Sequence, residues 1–81
     1  MKKITSIKQL KDLIAKQENG LECFIALNGG IRSSKQIWFN GKKFEVYNFV
    51  DDTEQKLTEA ELFTKSNIGE AIKKHALIME E

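Results

Sequence analysis

The chain has 81 residues, of which 41% are hydrophobic and 31% charged, with a net charge of +1. This composition suits a folded globular domain and excludes a membrane span, since no apolar run approaches the roughly 18 residues needed. A chain this short buries only about 60% of its unfolded surface, so residues 1–81 are expected to form a single domain with a modest core.

Ser6-Ile7-Lys8-Gln9 reads as a capping box, in which the serine accepts from the N3 amide and Gln9 reaches back. Ile7, Leu10, Leu13 and Ile14 follow at helical spacing, and Asn19-Gly20 supplies a left-handed stop. The spacing predicts a helix over Ile7 to Glu18. Leu21 to Leu27 alternates as a strand, with Leu21, Cys23, Ile25 and Leu27 on one side. Asn28-Gly29-Gly30 and Asn40-Gly41 are turn signals, because these residues tolerate positive φ.

A three-residue first turn pairs Leu27 with Ile31, and a second strand runs from Ile31 to Phe39. Ile31, Ile37 and Phe39 then join the core side. Ser33 and Lys35 fall on the same side, which marks the start of that strand as a rim, a bulge or a stretch beyond the helices. A four-residue second loop pairs Phe39 with Phe44 and Ile37 with Val46, matching apolar with apolar, and is preferred over a two-residue loop. The third strand runs from Phe44 to Phe49 or Val50.

Asp51-Asp52-Thr53-Glu54-Gln55 reads as a polar turn. Thr58-Glu59-Ala60-Glu61 is a second capping box, opening a short helix with Leu62 and Phe63 on its apolar side. Asn67-Ile68-Gly69-Glu70 caps a last helix with a stripe of Ile68, Ala71, Ile72 and His75. Residues 76–81 either extend that helix or form a fourth strand at the sheet edge. The expected fold is α+β: an N-terminal helix, a three-stranded antiparallel meander, and short C-terminal helices packed on one face of the sheet. Its core is Ile7, Leu10, Leu13, Ile14, Leu21, Cys23, Ile25, Leu27, Ile37, Phe39, Phe44, Val46, Leu62, Ile68 and Ile72.

The opposite face of the meander carries Phe24, Arg32, Ser34, Gln36, Trp38, Lys43, Glu45 and Tyr47. Aromatic rings interleaved with basic and amide groups suit two kinds of partner. Trp, Tyr and Arg dominate protein-binding hot spots, and rings with bases also form platforms for single-stranded nucleic acid. The candidate binding residues are Phe24, Arg32, Gln36, Trp38, Lys43 and Tyr47. The competing reading is that the rings pack across strands or lie under a C-terminal segment or a second subunit. Charge is uneven along the chain. Residues 1–50 hold nine Lys or Arg and four acids, +5; residues 51–81 hold four Lys and eight acids, −4; together these give +1. Such asymmetry marks either a nucleic-acid face or two halves that neutralise each other on folding.

No catalytic or metal constellation emerges. Gly29-Gly30 leads through Arg32-Ser33-Ser34-Lys35 into a strand, whereas a phosphate-binding loop of the Walker type needs a following helix. Asp51, Asp52 and Glu54 lack the ligand spacing of a calcium loop. The single histidine, His75, and the single cysteine, Cys23, are too few for zinc, and an inward Cys23 is an inert small hydrophobe. One cysteine suits a reducing cytoplasm, and the N-terminus lacks the apolar stretch of a signal peptide. The expectation is a cytoplasmic, non-enzymatic protein without cofactor or metal. Its partner would be a protein or a second copy of itself, with nucleic acid as the alternative.

Leu27 to Lys35, Asp51 to Thr58 and Ser66 to Ile72 together resemble a small uncharacterised family of bacterial, phage and mobile-element proteins, over most of the chain. The resemblance implies no reaction, cofactor or site residue. It implies a context in which compact accessory proteins act by occupying a host protein's surface, some of them as inhibitors of host defence.

Overall fold

The computed structural model describes residues 2–80. The elements in chain order are β1 (Lys2–Ile4), α1 (Ile7–Ala15), β2 (Leu21–Ala26), β3 (Arg32–Phe39), β4 (Phe44–Asn48), β5 (Thr53–Leu57), α2 (Glu61–Thr64), α3 (Ile68–Lys73) and β6 (Leu77–Met79). The strands form one antiparallel sheet in the order β1-β6-β2-β3-β4-β5. The α+β class matches the sequence reading, but the meander is half of a six-stranded sheet rather than the whole of it.

The central strands follow from alternation and turn chemistry. Leu21 pairs with Ile37, Ile37 with Val46, and Phe39 with Phe44. The Asn28–Gly30 segment forms a single 3-10 turn, closed by the Leu27 N–H donating to the Ile31 carbonyl at 2.9 Å. Asn40 builds the second loop: its side-chain oxygen accepts from the N–H groups of Lys42 and Lys43 at 2.9 and 2.8 Å. Both loops have the lengths that match apolar with apolar, so Leu21, Cys23, Ile25, Ile37, Phe44 and Val46 line one buried side.

The helices close that side. Ser6 caps α1 by accepting from the Gln9 N–H at 3.1 Å, and the Gln9 carbonyl oxygen accepts from the Thr5 N–H at 2.8 Å. Leu10, Leu13 and Ile14 of α1 pack with Leu62 of α2 and with Ile68, Ala71 and Ile72 of α3 into the same core. The helix stops at Ala15, three residues short of the expected end. Its last turn tightens, with Lys16 and Gln17 donating to the carbonyls of Leu13 and Ile14. The second capping box also forms: Glu61 N–H donates to Thr58 Oγ1 at 3.2 Å, and Glu61 Oε1 accepts from the Thr58 N–H at 2.9 Å. That backbone bond, with the Lys65 ammonium at 2.9 Å, holds the Glu61 carboxyl down to about 2.

Five points differ from the sequence reading. Lys2–Ile4 is a strand, a run too short to show its period, whose Ile4 pairs with Leu77 and is fully buried. Residues 77–79 form a strand inside the sheet, between β1 and β2, rather than at its edge; Glu81 lies outside the described residues. The polar Thr53–Leu57 run is a strand at the sheet edge, where charged side chains guard an unpaired backbone. Leu27, expected in the core, is 44% exposed at the hairpin tip, and Ile31 opposite is also exposed. His75 does not continue the stripe of α3: it takes φ +56 and is exposed, turning the chain into β6.

Phe44 is fully buried and tilts against Phe39 with ring centroids 4.7 Å apart. Phe44→Ala is expected to lower unfolding stability by about 3–5 kcal/mol in urea titrations, the range for a truncated core aromatic. A loss below about 1 kcal/mol would contradict this packing.

Candidate functional site

All three helices cover one side of the sheet, so among the described residues the other side carries no helix. The pairing places Trp38 opposite Glu45, Tyr47 opposite Gln36 and Glu54, and Lys56 next to Glu45 on that open side. Trp38, Glu45, Tyr47, Glu54 and Lys56 line a shallow groove of about 590 Å³.

Both anchor rings are held in place. Trp38 is 37% exposed and lies flat against Gly20, where an added Cβ would sit 2.7 Å from the indole. Gly20 also takes φ +81. The indole therefore has a seat that only glycine leaves free. Tyr47 is half-buried, its hydroxyl donates to Asp52 Oδ1, and its ring meets Phe49 edge-on at 4.8 Å. The bond to Asp52 pushes the Tyr47 hydroxyl's pKa above its ordinary value. Asp52 sits at φ +54, a conformation that aspartate tolerates better than most residues.

The other candidate residues are spread over the face. Arg32 stacks on the Phe24 ring, 4.3 Å from its centroid, and reaches Glu80 at 4.0 Å. Phe24 is only 3% exposed, so it is corrected from a contact residue to a buried one, sealed on the helix-free side. Gln36 donates to the Asn19 carbonyl at 2.5 Å. Lys43 stands exposed in the Asn40 loop, outside the groove lining. The structure thus brings Trp38 and Tyr47 together and leaves Phe24, Arg32 and Lys43 apart from them. Glu54 and Lys56 line the groove and Phe49 braces the Tyr47 ring, roles that the sequence pattern does not assign. The period-two spacing of Glu54 and Lys56 was the available signal, hidden because β5 reads as a polar turn.

A second feature lies on the helix side. Lys35, expected at a rim, in a bulge or beyond the helices, is 5% exposed. It stands between Cys23 and Asn48 in the sheet, and its ammonium donates to Asn48 Oδ1 at 2.5 Å. Burial lowers the Lys35 pKa from its ordinary value. Burial also pushes the Cys23 thiol up to about 12. The described residues include no cluster of His, Cys, Asp and Glu placed to hold a metal. Among the described residues no helix is long and apolar enough to cross a membrane. No family model, curated protein or solved structure matches the chain.

Two outcomes follow from these seats. Gly20→Ala is expected to red-shift Trp38 emission and to lose about 1–2 kcal/mol, the penalty for a side chain in the left-handed region; unchanged emission would show the indole seated elsewhere. Because its pKa is raised in the folded state, Cys23 stays a thiol where the unfolded chain ionises. Its contribution to stability is complete below pH 9 and declines towards pH 12. Iodoacetamide at pH 9 should therefore label Cys23 in urea but not in the native protein, and rapid native labelling would contradict its burial.

Proposed function

We propose that this protein is a non-enzymatic protein-binding module whose contact surface is the helix-free side of the sheet, with Trp38 and Tyr47 as anchors. The supporting observation is that both rings are accessible and already fixed around one groove, Trp38 on Gly20 and Tyr47 on Asp52 and Phe49. A ring fixed before contact loses little further freedom on binding, so more of its buried area becomes affinity. The same module, acting as a surface-occupying accessory or inhibitor of phage or mobile-element origin, fits the context implied by the sequence resemblance.

Charge favours a protein over nucleic acid. Glu22, Glu45, Glu54 and Glu80 share the open side with Lys3, Arg32, Lys43 and Lys56, which leaves no net positive field for phosphates. Phe24, the third ring of a stacking platform, is closed to solvent. The basic first half and acidic second half interleave on this surface, because β4 and β5 lie side by side.

The test compares the wild-type chain with a Trp38→Ala, Tyr47→Ala variant. Native bacterial lysate is passed over each, and light scattering reports self-association. A partner, or a dimer, retained by the wild type and weakened about tenfold or more by the double variant is expected, since anchors of this kind carry over 1 kcal/mol each. Oligonucleotides should leave Trp38 emission unquenched at low salt. Quenching that fades with added salt, or partner capture indifferent to both rings, would overturn the assignment.

A further inference from the structure

We propose that the cleft over Lys35 binds a small organic carboxylate whose other end carries an ammonium group, as an amino acid does. Lys35 and Asn48 are the buried polar side chains among the described residues. The cleft above them holds about 450 Å³ and is lined by Ser33, Lys35, Asn48, Asp51, Ser66 and Asn67, among others. That volume falls in the range of small-molecule sites, about 300–1,000 Å³.

The donor and acceptor inventory points to the ligand. An ammonium has three N–H donors, and Asn48 Oδ1 takes one of those on Lys35. The Asn48 amide nitrogen is taken up by neighbours in the same cleft wall, donating to Thr53 Oγ1 at 3.2 Å and to Gln55 Oε1 at 3.3 Å. Among the described residues no carboxylate lies within ion-pair distance of Lys35. A buried ammonium bonded to a neutral amide, with the Asp51 carboxylate acting on it only from beyond ion-pair distance, remains costly, and a carboxylate entering the cleft supplies a strong acceptor in direct contact.

Asp51 decides between anions. Its carboxylate lines the same cleft and accepts from Thr53 Oγ1 at 2.8 Å. A fixed negative charge beside a single cation repels a dianion such as phosphate and attracts a positively charged group. Lys35 and Asp51 together therefore match a ligand with one charge of each sign.

The test is an amide nitrogen–proton NMR titration of the whole chain with glycine, acetate and inorganic phosphate at constant ionic strength. Glycine should give saturable shifts at Ser33, Lys35, Asn48 and Asp51, and should bind more tightly than acetate, with phosphate weakest. Lys35→Met should weaken glycine by about tenfold or more, the share of a hydrogen bond to a charged group. It keeps the aliphatic stem and removes a buried charge, so the fold should hold, as its spectrum will show. Asp51→Asn should abolish the preference of glycine over acetate, and Lys43→Met should change nothing. Shifts that fail to saturate, that map elsewhere, that favour phosphate, or that survive Lys35→Met undiminished would overturn the assignment.

Discussion

The pairing of Leu27 with Ile31 and of Phe39 with Phe44 decides which side of the sheet each residue of β2, β3 and β4 occupies. Side chains alternate along a strand, so a shift of one residue in either loop would exchange the two sides completely. The Asn28–Gly30 turn and the Asn40 loop prevent that shift by their lengths and by the positive φ of Gly29, Gly30 and Gly41. With the register held, the aliphatic residues meet the helices and the indole and phenol face away from them. Core and candidate interface are thus two consequences of one constraint.

The same constraint brings Lys35 inside. Ile37 must face the core to pair with Leu21 and Val46, so Lys35, two residues earlier, must face the same way. The fold accommodates it by placing Asn48 directly across and by letting Thr53 and Gln55 hold the other end of that amide. The helix side therefore has an aliphatic region beneath α1 and a polar region near the β4–β5 turn. Polar groups at the second region hold a cation that hydrophobic packing alone would expel.

Much of the centre was legible in the sequence because its determinants are local. Both capping boxes, both loop lengths and the register of β2, β3 and β4 rest on residues within a few positions of one another. Structure departs from local pattern where that pattern is weak. β1 and β6 have only three residues each, too few to show a period, and they are joined across nearly the whole chain. β5 carries charge at an exposed edge and so imitates a turn. Alternation puts Phe24 on the helix-free side, where it is buried rather than open. Arg32 lies over the ring and β6 flanks it with Ile78, and alternation says nothing about how a neighbouring long side chain folds down or where a distant strand docks.

The sequence alone determined the period of each long element, the turns between them, and hence the two-sided character of the central strands. Only tertiary structure decided that Leu77 sits between Ile4 and Ile25, that Phe24 is sealed, and that Lys35 is enclosed beside Asn48. The reason is the range of the interactions. Backbone propensity, capping and turn geometry act over a few residues and leave marks in the order of amino acids. Strand order and burial arise from contacts between distant segments, which exist only once the chain has closed on itself.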